Sequence, residues 1–202
     1  MRTQRTQLRI VAGSLRGRKL TCTVNPNLRP TPQMVREALF SILGDAVPDR
    51  PFYDVFAGTG VIGLEAVSRG ARAVTFVERD FRLVGELEKH IAAFGVGDTA
   101  NIIRSDVYHW IQRWQPPAEA VTVFLSPPFA DFDRRLDDML ALVGQLQERL
   151  HVGSVLVLQS ERGAPLDELP GREWDTRTYG RNVLQIWVKE PEQRAEEQEA
   201  ES

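Results

Sequence analysis

Three short stretches of the chain carry residue types from which a group-transfer site can be built. The first is DVFAGTGVIG, where Gly58, Gly60 and Gly63 form a G-x-G-x-x-G between a strand-like run and a helix-like one. Glycines so placed let the backbone approach a ligand closely and aim helix-terminal N–H groups at it. Alone, the pattern suits NAD, an adenosyl ligand, or a tight turn that merely packs strand on helix. Glu78 ends the next apolar run, twenty residues after Gly58, where a carboxylate can accept both hydroxyls of an adenosyl ribose. Its plainer alternative is a solvated charge at a strand end. Asp54, four residues before Gly58, can compensate an ammonium or sulfonium charge through hydrogen bonds, a property of little use beside the negative pyrophosphate of NAD. Asp54, with Asp106 further on, favours S-adenosylmethionine over NAD. Asp106, in RSDVYHW, stands where a side chain could accept from an adenine amino group, and it serves equally well as a helix N-cap. Phe56, Arg79 and Val107 complete the expected cofactor set.

The second stretch is VTVFLSPPF, in which Ser126, Pro127, Pro128 and Phe129 follow a strand-like run. Carboxyl ends of strands are where open α/β sheets bind ligands. Two prolines fix two φ angles and remove two donors, so nearby carbonyls are presented rigidly to a substrate N–H, and Phe129 can stack on a base. A di-proline turn without the glycine turn would read as a chain stop.

The third is the basic amino-terminal stretch. Residues 1–40 hold eight Lys and Arg against Glu37, a local net charge of +7 in a chain whose total is −3. Arg9, Arg16, Arg18, Arg29, Thr31 and Arg36 are the candidate contacts to a nucleic-acid backbone, because phosphate contacts position while base contacts specify. Solvated surface charge is the competing reading. From Glu190 onward EPEQRAEEQEAES holds six glutamates against Arg194 and reads as a solvating tail.

These residues need a scaffold, and the intervening pattern supplies one. LRIVAG (8–13) and RKLTCT (18–23) predict a β-hairpin, and Thr31 can cap a helix that begins at Pro32 and carries Val35, Ala38, Leu39, Ile42 and Leu43 on one face. Strand-like and helix-like runs then alternate: FYDVFA, VIGLEAVSR, AVTFVE, a helix opened by Asp80, NIIR, VYHWIQRW, VTVFL, a helix over 134–149, and SVLVLQS. Alternation predicts a doubly wound, mostly parallel Rossmann-like sheet. EWDTRTYG and NVLQIWVKE lie too close together for a crossover helix and predict a terminal antiparallel hairpin, the usual methyltransferase variation on the dinucleotide-binding theme. The expected organisation is an extension over 1–45, a ligand-binding domain over 46–190 and an acidic tail over 191–202.

Bulk properties narrow the field. The length suits one α/β domain with a substantial core. Cys22 is the lone cysteine, so no intrachain disulfide can form, and His90, His109 and His151 are too scattered to suggest a metal site. The basic start lacks the apolar core of a signal peptide, and no apolar run is long enough to span a bilayer. A cytoplasmic, metal-free monomer is the expectation.

LRIVAGSLRGRKL, LRPTPQMVREALFSIL, DVFAGTGVIGLEAVSRGA and the P-P-F turn, in that order over roughly residues 8–190, resemble the RsmD family of 16S rRNA guanine-N2 methyltransferases. The resemblance implies methyl transfer from S-adenosylmethionine to the 2-amino group of a guanine in small-subunit ribosomal RNA or its particle. One departure touches the chemistry. The family pattern at the turn is D-P-P-F, with N-P-P-Y in related amino-methyltransferases, whereas this chain has Ser126. A neutral hydroxyl on a short arm is a weaker acceptor than a carboxylate. A non-catalytic RNA-binding or assembly module on the same fold is therefore the main rival, and an NAD-dependent oxidoreductase, for which no hydride-transfer dyad is evident, the lesser one.

Overall fold

The computed structural model describes residues 4–24, 28–171 and 173–191, so the expected acidic tail lies outside the described residues apart from Pro191. A hairpin of β1 (Gln4–Arg9) and β2 (Lys19–Val24) is followed by α1 (Gln33–Leu43). Then come β3 (Pro51–Val55), α2 (Val61–Ser68), β4 (Ala73–Glu78), α3 (Phe81–Phe94), β5 (Ala100–Arg104) and α4 (Val107–Arg113). The chain continues through β6 (Thr122–Leu125), α5 (Phe129–Arg134), α6 (Leu136–Arg149), β7 (Val155–Glu161), β8 (Asp175–Tyr179) and β9 (Asn182–Val188).

β3 to β9 form one seven-stranded sheet in the order β5-β4-β3-β6-β7-β9-β8. The five strands from β3 to β7 run parallel, while β9 inserts antiparallel between β7 and β8. Alternate side chains serve the two faces, as the pleat requires. Phe52, Phe76, Phe124 and Val157 pack with Leu39, Leu64 and Leu87, whereas Val55, Val123, Leu125 and Leu156 pack with Ile111, Met139 and Leu142. Helices thus cover both faces, the arrangement that buried parallel strands demand. The loops leaving β3, β4, β5 and β6 all lie at the carboxyl end of the parallel strands, and the cleft is there.

Several local features follow the sequence closely. Asp80 caps α3 by accepting from Arg82 N at 2.8 Å, and Gly95 ends that helix in the left-handed region. Two expectations are corrected. β1 ends at Arg9 instead of covering 8–13, because the chain beyond Ile10 bends onto the end of α2. Gly13 takes φ +81° there, Ser14 N donates to Ser68 O, and Leu15 N donates to Ser68 Oγ. Nor does Thr31 cap α1. Pro32 occupies the cap position without a side-chain bond, and the Thr31 hydroxyl is turned inward to Gln159.

The largest revision concerns Arg36. Expected on an RNA-facing surface, it is 2% exposed and locked into a buried cluster. Its guanidinium donates to Thr31 O at 2.8 Å and Arg9 O at 2.9 Å, and its Nε lies 3.4 Å from Glu65 Oε1. Glu65, fully buried, also accepts from Val11 N and pairs with Arg69, whose guanidinium covers the Phe40 ring. The cluster joins the hairpin, α1 and α2. Burial lowers the Arg36 pKa and the neighbouring Glu65 opposes that shift, as expected for a charge held indoors by its partner.

Candidate active site

β3 and β4 deliver the two acidic residues. Asp54, the penultimate residue of β3, is 1% exposed, and its Oδ2 accepts from Gly63 N at 2.8 Å. Glu78, the last residue of β4, accepts from Gly58 N, Arg79 N and Asp80 N, each at 2.8 Å. Both carboxylates therefore clamp the glycine turn from below. Gly60 sits at φ +71°, and a Cβ there would lie 2.4 Å from a Leu87 methyl carbon; a Cβ on Gly63 would lie 2.1 Å from the Phe76 ring. Gly60 is required by conformation and Gly63 by packing. Phe56 holds φ +63°, an uncommon state for a bulky residue, and meets Tyr108 edge-on at 5.7 Å between centroids.

The electrostatics of this floor point to a cationic ligand. Burial, partly offset by the Gly63 N–H bond and reinforced by the nearby Glu78, pushes the Asp54 carboxyl up to about 8. Two buried acids side by side, with an N–H cradle above them, suit a ligand carrying sulfonium and ammonium charges and an adenosyl group better than one carrying a pyrophosphate. S-adenosylmethionine fits this donor set. Among the described residues no group of three or more His, Cys, Asp and Glu could hold a metal ion.

At the next strand end, Asp106 caps α4, with Oδ1 accepting from Tyr108 N at 3.0 Å. Its Oδ2 faces Arg79 at 3.3 Å and Arg135 at 3.7 Å, so of its two candidate roles the cap is the one occupied in this structure. Arg135 also lies 3.8 Å from the centroid of the Tyr108 ring. The Tyr108 hydroxyl donates to Asp131 Oδ2 at 2.9 Å; burial and then the Asp131 acceptor drive its pKa upward, so it stays protonated.

Asp54, Phe56, Gly58, Glu78, Arg79, Asp106 and Val107 line one cleft of about 990 Å³, and Ser126, Pro127, Pro128 and Phe129 line the same cleft. Ser126 follows β6 directly, its N donating to Val55 O at 3.3 Å. Of the candidate RNA contacts, only Arg29 and Thr31 reach this cleft. Arg29 is exposed at its mouth, 3.9 Å from Glu161. Thr31 is 5% exposed with its hydroxyl engaged, which removes it as a surface phosphate ligand. Arg9, Arg16 and Arg18 are exposed on the hairpin; Arg18 bonds Ala93 O and stacks on Phe94 of α3.

Several cleft residues were not anticipated: Asp131, Arg134, Arg135, Gln159, Arg181 and Asn182. Gln159 left a trace in the sequence, as the amide that breaks the apolar run SVLVLQS. Asn182 and Arg181 left none, since nothing local says that the β8–β9 turn folds back to the cleft.

A family model described as Conserved hypothetical protein 95 matches residues 8–188. Ribosomal RNA small subunit methyltransferase D of Escherichia coli strain K12 is 39% identical over 123 residues, which is 61% of this chain and 61% of that protein's length. Escherichia coli yhhF, a solved structure, is 31% identical, with a TM-score of 0.75 over 92% of this chain and 99% of that one. A Thermus thermophilus 16S rRNA N2 methyltransferase, RsmC, solved with AdoMet and guanosine, shares the fold at 23% identity, with a TM-score of 0.68 over 93% of this chain and 50% of that one. With the matched region enclosing the hairpin, the glycine turn and the P-P-F turn alike, the chain belongs to the Conserved hypothetical protein 95 family, the RsmD family of methyltransferases.

Proposed function

We propose that this protein transfers a methyl group from S-adenosylmethionine to the 2-amino group of a guanine in small-subunit ribosomal RNA. The observation that carries the reading is that the acid-floored glycine cradle and the Ser126–Phe129 turn share one cleft. The names of the E. coli relative and of the guanosine-bound fold neighbour support the substrate class.

Glu78 holds the ribose hydroxyls, the glycine turn at Gly58 lets the ligand approach the backbone closely, and Asp54 balances its positive charge. When bound, S-adenosylmethionine supplies an electrophilic methyl group. The protein's task is then to desolvate and orient a weakly nucleophilic amine. Phe129 stacks on the base, and the Ser126 hydroxyl with the rigid carbonyls of the di-proline turn accepts the amine N–H groups. Arg9, Arg16, Arg18 and Arg29 hold the flanking phosphates.

Radiolabelled S-adenosylmethionine incubated with the protein and, separately, undermethylated small-subunit and large-subunit particles tests this directly. Label should enter small-subunit RNA and leave large-subunit RNA unlabelled. No transfer to either, with cofactor bound, would favour the RNA-binding module on a methyltransferase fold.

A further inference from the structure

The proposed activity leaves open how a guanine would be told from an adenine. Three side chains from distant parts of the chain form a directed hydrogen-bond relay along the wall of the cleft. The buried Thr31 hydroxyl donates to Gln159 Oε1 at 2.8 Å, and Gln159 Nε2 donates to Asn182 Oδ1 at 3.1 Å. Each amide is thereby oriented. With its oxygen committed, Asn182 keeps its Nδ2 hydrogens, and no described acceptor takes them. Asn182 is half-buried and lines the cleft with Thr31, Gln159 and Ser126.

Register places the relay beside the target turn. Leu125 of β6 pairs with Leu158 of β7, so Ser126 and Gln159 are the next residues along adjacent parallel strands. Asn182, at the start of β9, faces Glu161 across the following strand pair. A purine stacked on Phe129 with its 2-amino group at Ser126 extends its Watson–Crick edge toward this wall. On that edge guanine presents the O6 acceptor, where adenine presents an N6 donor.

Resting on the guanine reading above, we propose that Asn182 is a specificity-determining residue: its side-chain N–H, oriented by Thr31 through Gln159, donates to O6 of the target guanine. Adenine would set two donors against each other. Turning the Asn182 amide over to accept from adenine would set its Nδ2 against Gln159 Nε2 and break that relay bond, and buried polar groups left unpaired make such rejection strong. Because Gln159 is buried, the relay holds Asn182 ready before substrate arrives.

The test uses the full chain with S-adenosylhomocysteine present and compares binding of guanosine 5′-monophosphate with that of the 2-aminopurine riboside monophosphate, which lacks O6, by NMR titration. The parent should prefer guanosine by about tenfold, the ratio that one hydrogen bond supplies. Asn182→Ala should bring the ratio to about one, Asn182→Asp should do no better, and the isosteric Thr31→Val should lower it part of the way. A merely structural role for Asn182 would weaken both nucleotides together and leave the ratio alone. An unchanged ratio in Asn182→Ala or Thr31→Val overturns this proposal, while methyl transfer to small-subunit RNA still stands. A parent that holds S-adenosylhomocysteine but binds neither nucleotide overturns the guanine reading and the relay with it.

Discussion

Ser126 stands at the point in the cleft where the family pattern has an aspartate, and its hydroxyl is neutral and short. One preorganised hydrogen-bonding group can be worth about 2.7–4 kcal/mol in a transition state. Ser126→Asp should therefore raise the single-turnover rate of methyl transfer by up to about a hundredfold, and Ser126→Ala should lower it, with cofactor affinity nearly unchanged. Equal rates in all three would remove position 126 from the chemistry. Asp54 gives a pH dependence of definite sign. With its folded pKa near 8, it binds more protons folded than unfolded between about pH 4 and 8, so its contribution to stability falls as pH rises through that window. A cationic ligand favours the ionised form, so binding must expel a proton below pH 8. Cofactor affinity should rise from pH 6 to 8 and then level off. Calorimetry in two buffers of different ionisation enthalpy should report the released proton, and Asp54→Asn should abolish the slope. Glu78→Ala should weaken cofactor binding by at least tenfold, since each charged hydrogen bond lost costs about 1.5–3 kcal/mol.

Among the elements, the Arg36–Glu65–Arg69 cluster fastens the hairpin and α1 to α2. Removing one partner of a buried ion pair strands the other, at about 3–5 kcal/mol. Glu65→Ala should lose about that much stability in urea titration, and a loss below about 1 kcal/mol would show that the cluster is dispensable. This cluster also marks what the sequence conceals. V-R-E and G-L-E-A were visible as motifs, but that Arg36 faces Glu65 is a tertiary fact spanning 29 residues, and the local excess of cations argued for the surface instead. Asp80 and the β–α alternation were legible because caps and periodicities are local. The bend after Ile10 was not, since it depends on Ser68, 54 residues away from Ser14. The break at Arg135 that separates α5 from α6 lies in a stretch without glycine or proline to announce it.

For the whole molecule, a chain of net charge −3 gathers five arginines around one cleft, beside the acids that line it. Arg29, Arg79, Arg134, Arg135 and Arg181 all line it, drawn from four separate segments of the chain. The juxtaposition of the glycine turn with Asp54 and Glu78 was readable because they lie within one β–α–β unit, whereas the cleft wall beside Ser126 is assembled from residues 31, 159 and 182. If Arg9, Arg16, Arg18 and Arg29 contact about four phosphates, replacing them should flatten the slope of log affinity against log salt by roughly 3 units and leave cofactor binding intact. An unchanged slope would return the hairpin arginines to solvated surface.

The central claim is the chemical identity of the product. Small-subunit RNA methylated by this protein, digested to nucleosides and resolved by mass spectrometry against authentic standards, should contain the transferred methyl as N2-methylguanosine at one stoichiometric position. A methyl on adenosine, on cytidine, or on a guanine ring nitrogen would contradict the account.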